Sequence, residues 1–362
     1  MSTPQRPRLT RLALALALLC LVAAACGDDT STGTTDKDTT ATAAKDDAPF
    51  TLRLGYFPNV THAPALVGVF DGFFAQRLGK NVTIETHTYN AGPEAVEAIF
   101  AGALDVAYVG PNPAINAFQK SKGEAVRIIS GAASGGAFFV VKPEINSAAD
   151  LKGKTVADPK LGGTQDVALR SWLATKNLKT DTSGGGDVSI APSENADTLT
   201  AFKAGTIAGA WVPEPWATRL VQEGGGKVLV DEADLWPGGK YPTTLILATT
   251  KFINAHPAAV EHLLEANLDA IDKIASDPTG SQAAVNTEIE SVTGKKLSDS
   301  LITAAWKNLT FTADPVPSAL TKAAKDAKAA GLLEDTNLKG IFDLGPLNKV
   351  LKAAGKPAVK DS

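Results

Sequence analysis

The segment Gly162-Gly163-Thr164-Gln165 has the clearest chemical use of any in this chain. Two glycines let a ligand approach the backbone, and a helix starting here presents free N–H groups, the positive end of its dipole and the Thr164 hydroxyl, a combination suited to an anion. The same residues also read as a glycine turn with Thr164 as helix cap. Thr61 aligns with Thr164 at an offset of 103 residues. Its neighbour His62 can donate to an anion and ionise if the anion raises its pKa, or simply pack against its loop. Asn112, between Pro111 and Pro113, can both donate and accept, toward a ligand or toward local backbone. Ser134-Gly135-Gly136 offers a hydroxyl and N–H groups, or serves as a hinge loop. Trp211 is either a wall for a ligand or part of the core. A carboxylate at Glu214 facing a bound anion would repel it. Glu214 therefore either points away as an acid in the first turn of a helix, or meets a ligand that also carries positive charge.

Catalytic and metal chemistry find no support. Gly-x-Ser-x-Gly and His-Glu-x-x-His segments are absent. His87 falls on an expected strand, and His256 and His262 sit on a helix without metal-binding spacing, so all three read as structural. The two cysteines are Cys20 and Cys26, both near the N-terminus, which leaves the body without a disulfide framework or a thiolate metal site. The expectation is a binding protein with no cofactor and no metal. A hydrolase or transferase on the same scaffold would need a nucleophile with a positioned base.

The elements that must place these residues alternate between helical and extended patterns, which favours α/β lobes with largely parallel sheets. Strands are expected at 51–55, 82–89, 105–109, 138–141, 155–157, 188–191, 209–212 and 243–249. Helices are expected at 65–74, 93–101 and 165–175, followed by a helical tail over 257–276, 282–292, 298–308, 318–330 and 347–354. Residues 101–109 and 204–212 repeat in part: Ala101 with Ala204, Gly102 with Gly205, Ala107 with Ala210 and Val109 with Val212. Prolines flank a polar residue after each copy, so two similar lobes are expected. In open α/β sheets the loops after the strands bind ligands, which would set Thr61 and Thr164 opposite each other across one cleft.

The N-terminus carries Arg6, Arg8 and Arg11, then a 14-residue apolar run over 12–25, then Cys26. That run is shorter than the about 20 residues of a spanning helix and reads as an export signal. Ala23-Ala24-Ala25 before Cys26 resembles a lipobox, with Ala23 departing from the usual Leu. It implies a lipidated Cys26 that anchors the chain outside the cytoplasm; ordinary cleavage and free secretion is the alternative. Residues 27–48 lack large apolar side chains and read as a tether, spanning roughly 25 Å on average. Loss of the three signal arginines takes the formal charge from −4 to −7, and no basic stripe suits nucleic acid.

Gly55-Tyr56-Phe57-Pro58, Gly72-Phe73-Phe74, Tyr108-Val109-Gly110-Pro111-Asn112-Pro113 and Val212-Pro213-Glu214-Pro215-Trp216, in this order, resemble the solute-binding proteins of ABC importers. The group is that serving nitrate, taurine and aliphatic sulfonates, and the resemblance covers about residues 50–250. It implies an α/β, two-lobe periplasmic-binding-protein fold (type II-like) with two crossover strands and a helical C-terminal region. The lobes divide as 49–140 and 141–242, with 243–362 returning to the first. It further implies a monomer without catalytic residues that passes a small anion or zwitterion to permease subunits. The ligand-binding set is then Thr61, His62, Asn112, Ser134, Gly163, Thr164, Gln165, Trp211 and Glu214. Taurine would satisfy both Glu214 and Thr164. Nitrate, bicarbonate, or an aromatic or pyrimidine ligand stacked on Trp211 or Tyr108 are alternatives, as is a receptor lobe that signals to a membrane sensor.

Overall fold

The computed structural model describes residues 48–360. The expected export signal, Cys26 and the tether up to residue 47 lie outside the described residues. Among the described residues no helix is long and apolar enough to cross a membrane, and no group of His, Cys, Asp or Glu could hold a metal ion.

The first lobe opens with β1 (Phe50–Tyr56), α1 (Ala63–Phe70), α2 (Phe73–Leu78), β2 (Val82–Thr88), α3 (Gly92–Phe100), β3 (Val106–Val109), α4 (Pro111–Lys120) and β4 (Val126–Gly135). Alternation in β1 sends Leu52, Leu54 and Tyr56 into one core. On its other face Arg53 pairs with Asp105 at 2.6 Å, just before β3. The second lobe contains β5 (Ala137–Val141), β6 (Thr155–Ala157), α5 (Thr164–Thr175), β7 (Ser189–Ile190), α6 (Asn195–Ala204), β8 (Gly209–Pro213), α7 (Trp216–Gln222) and β9 (Lys227–Asp231). The chain then returns through β10 (Pro242–Thr249), α8 (Thr250–Ala255), α9 (Pro257–Ser276), α10 (Pro278–Thr293), α11 (Asp299–Trp306), β11 (Leu309–Phe311), α12 (Pro317–Ala329) and α13 (Gly345–Ala353).

The two sheets have one plan. Their strand orders are β11-β4-β10-β3-β1-β2 and β7-β6-β8-β5-β9. In each, the lobe's third parallel strand, β3 or β8, lies beside an antiparallel strand arriving from the other lobe, β10 or β5. The 103-residue repeat is the product of this plan, because β3 and β8 are its two copies. Gly102 and Gly205, which precede them after a helix end, both adopt left-handed backbone at φ 72° and 76°. Glycine takes that conformation without a Cβ penalty, so the same residue recurs at the same corner.

The structure corrects the lobe boundary. The segment expected as the last strand of lobe one is β5, which pairs with β8 and β9 in the second sheet. The chain leaves the first sheet at Gly135 and enters the second at Ala137. Gly135 and Gly136 carry the crossing at φ 82° and 73°, and a Cβ on Gly135 would lie 2.9 Å from the Asn308 carbonyl oxygen. The helical tail covers the first sheet: α9, α10, α11 and α13 share a core with β1 and α1, and α12 packs with α4 on the other face. It also reaches the second lobe, where α12 touches α5 and α11 touches α7.

Candidate functional site: a cleft of helix N-termini

A cavity of about 40 Å³ lies between the lobes, with Thr61 and His62 on one wall and Gly163, Thr164 and Gln165 on the other. Space of this measure holds roughly three waters, hence a small oxyanion or an anionic head group. Five helices begin on its walls. Thr61 and His62 lead into α1, Ala91 and Gly92 into α3, Gly110 into α4, Gly163 into α5, and Asn195 opens α6. The first N–H groups of a helix lack intrahelical acceptors and carry its positive dipole end, so the cavity is rich in neutral donors. Prolines near the starts of α1, α3 and α4 remove some of these donors, whereas α5 and α6 start without one. The second lobe therefore offers the fuller set of N–H groups.

The cavity lining contains no carboxylate; His62 and Lys160 are its ionisable members. Lys160 Nζ pairs with Glu94 of the opposite lobe at 2.8 Å. His62 is buried against the Phe57 ring at 4.3 Å, and its Nδ1 accepts the Phe57 N–H at 3.3 Å. Burial lowers its pKa to about 3, so without a bound anion the ring is neutral. The neutral ring keeps its proton on Nε2 and can act as a donor. Thr164 is the first residue of α5, and its Oγ1 is buried without a partner. Thr61 is fixed by its carbonyl, which accepts the Thr244 hydroxyl at 2.9 Å.

Four expected contacts lie off this cavity. Asn112 is the second residue of α4, three residues past the end of β3, and its Nδ2 donates to the Ala323 carbonyl at 3.3 Å, because α12 covers that face. Ser134 is paired inside the first sheet with Pro242 and Thr310. Trp211 is wholly buried, stacked on Phe139 at 5.5 Å, with its Nε1 donating to Glu232 at 2.7 Å. Glu214 accepts from the Thr218 N–H at 3.1 Å, the Thr218 hydroxyl at 2.8 Å and Asn308 Nδ2 at 2.7 Å. It lies two residues before α7 and accepts an N–H of that helix's first turn, which agrees with the sequence reading that turns it away from a ligand. Tyr108 is also core, its hydroxyl donating to Asn267 at 2.9 Å.

Asn195 was missed from the sequence, because the polar run Ser193-Glu194-Asn195 carries no apolar periodicity to announce α6. Its Oδ1 is buried without a partner. Asn59, Asn90 and Asn195 line both this cavity and a groove of about 920 Å³ beside it. Across the groove Trp216 Nε1 donates to Asn59 Oδ1 at 2.9 Å, linking the lobes.

Two lobes of like topology, joined by two crossings around a cradle of helix N-termini, make up the two-lobe fold of periplasmic binding proteins. The chain belongs to the NMT1-like family, whose pattern matches residues 45–288. It is 27% identical over 251 residues to the bicarbonate transport ATP-binding protein CmpC of Synechocystis, a match covering 65% of this chain and 36% of CmpC, so it spans about a third of that relative. It is 26% identical over 218 residues to the taurine-binding periplasmic protein of Escherichia coli, covering 59% of this chain and 64% of that one. The fold is similar to that of the alkanesulfonate-binding protein SsuA from Xanthomonas axonopodis, with a TM-score of 0.67 and 21% identity over 80% of this chain and 96% of SsuA.

Proposed function

We propose that this chain is the solute-binding component of an ABC importer and that it captures a small oxyanion, free or as the head group of a sulfonate, in the cavity between its lobes. The convergence of five helix starts on a cavity without a carboxylate carries this reading. Neutral donors can hold an anion although the body is acidic. A ligand tail has room in the adjoining groove. Thr61, His62, Gly163, Thr164 and Gln165 form the binding set, with Asn195 added. Glu214 already has three donors and is not the partner of an ammonium. A zwitterion such as taurine would instead meet Glu194 or Glu223, which line the adjoining groove. The chain works as a monomer without turnover, held outside the cytoplasm by lipidated Cys26, and hands its ligand to permease subunits.

Thermal unfolding of residues 27–362 with methanesulfonate, longer alkanesulfonates, nitrate, bicarbonate and taurine tests this. A ligand at about 100 times its dissociation constant adds about 2.7 kcal/mol of stability. One or more anions should raise the midpoint. No shift with any anion would overturn the assignment. Transfer of the full chain from membrane to soluble fraction in Cys26→Ser tests the anchor.

A further inference from the structure

The loop that presents the cradle, residues 158–163, rests on two fully buried acids. Asp166 on α5 accepts the Gly162 N–H at 2.7 Å and Arg170 Nε at 2.6 Å. Asp158 accepts the Lys160 N–H at 3.0 Å through Oδ1, while its Oδ2 has no donor. Both acids thus brace the same short loop, through the Lys160 and Gly162 N–H groups, and hydrogen bonding to Asp166 is among the causes that raise the Asp158 carboxyl. Two ionised carboxylates cannot donate to each other, and away from water their repulsion is large. The charged neighbours relieve it only in part. Arg170 faces both acids and lowers the Asp158 carboxyl, but its Nε is held by Asp166 and its Nη1 by the Asp181 carbonyl at 2.6 Å, and its buried Nη2 has no hydrogen-bond partner. Lys160 Nζ turns to Glu94, with Glu194 as a further acid near it. Two acids against one buried guanidinium leave an excess negative charge that a single proton removes.

We propose that Asp158 and Asp166 share one proton at neutral pH, held on Asp158 and donated to Asp166, and that this neutral carboxyl positions the 158–163 loop for anion binding. Burial and the Asp166 charge both hold the Asp158 carboxyl well above the usual carboxylate range. The link to the ligand rests on the anion-binding reading above. Losing the proton places an uncompensated charge beneath the cradle, which repels a bound anion and sets the two carboxylates that hold the Lys160 and Gly162 N–H groups against each other. By reciprocity a bound anion strengthens the hold on that proton. Asp158 is thus a positioning residue that never touches the ligand.

Infrared difference spectra between the wild type and Asp158→Asn at neutral pH test the proton directly, with deuterium exchange to identify a protonated carboxyl C=O stretch. The subtraction cancels other buried acids such as Glu232. The band should be present in the wild type and lost in Asp158→Asn. It should also be lost in Asp166→Asn, where Asp158 can ionise against Arg170, so the result does not hang on one variant. Absence of the band overturns the proposal. Titrations of nitrate and methanesulfonate, neither of which changes charge between pH 6 and 9, test the coupling. Affinity of the wild type should fall roughly tenfold toward alkaline pH, a usual size for linked equilibria, and that of Asp158→Asn should stay flat. Parallel profiles in the two proteins overturn the coupling. If neither anion binds at any pH, the anion-binding reading fails, while the infrared band still decides whether the acids share a proton.

Discussion

Gly110 and Thr164 meet across the cleft so closely that a Cβ on Gly110 would stand 2.3 Å from Thr164 Oγ1. Gly110 has ordinary extended backbone at φ −72°, so its glycine serves the approach of the lobes and not a turn. Thr164 is β-branched and has little freedom to turn away.

Gly110→Ala should therefore hold the lobes apart while leaving each core intact. Overpacking of this kind costs about 1–3 kcal/mol, which for a site formed by both lobes means roughly tenfold or more in anion affinity. Thr164→Ala removes the clashing oxygen, so Gly110→Ala should cost less in that background than in the wild type. Calorimetric titration of the four proteins checks the cycle; equal costs in both backgrounds would show that the two residues do not meet.

Glu214→Gln should lower stability without changing the order of preferred ligands. Its carboxylate has three donors, and an amide would set N–H against one of them. A buried polar mismatch costs about 1–3 kcal/mol. Thermal midpoints read the cost, and affinities for taurine and methanesulfonate read the preference. A selective loss of taurine binding at unchanged stability would place Glu214 against the ligand.

A rise in pH from about 4.5 to 7 should destabilise the fold through Glu232. This carboxyl is buried between Trp211 and Trp236, and burial raises its pKa from 4.5 to about 7. The folded state thus holds a proton that the unfolded chain releases earlier. The resulting stability is complete below pH 4.5 and is lost as pH rises through about 7. A shift of this size corresponds to about 3 kcal/mol. Denaturant midpoints from pH 5 to 8 should fall more steeply in the wild type than in Glu232→Gln, and equal slopes would count against a protonated Glu232.

His62 should show no titration between pH 5 and 8 in proton NMR. Its depressed pKa of about 3 has the opposite sign to that of Glu232. The unfolded chain takes up a proton below about 6.5, so the His62 contribution is present above that pH and is lost on acidification. A ring that titrates near neutrality would mean that the histidine reaches water or an anion.

Some of this was legible because it is local. The bounds of α9 follow from Pro257 and the apolar spacing that ends at Ser276, and the Gly163-Thr164 helix start follows from residue types alone. β4 was not legible, since Val126-Arg-Ile-Ile-Ser-Gly-Ala-Ala-Ser-Gly135 is buried along nearly its whole length and shows no alternation. The short α4 was hidden behind Pro111 and Pro113, which open a helix as readily as they end a strand.

The sequence by itself determined the α/β repeat, the glycine corners at Gly102 and Gly205, and the donor-rich loops at Thr61 and Thr164. Each follows from backbone preferences that act over a few residues. Only the tertiary structure decided which polar side chains face the cleft. Trp211 turns into one core while its neighbours Ala210 and Val212 turn into another, because strand residues alternate faces. Asn112 and Glu214 find partners at Ala323 and Asn308, on a C-terminal tail more than 90 residues away. Such partners are set by how the tail packs against the lobes, and no local pattern at Asn112 or Glu214 encodes that packing.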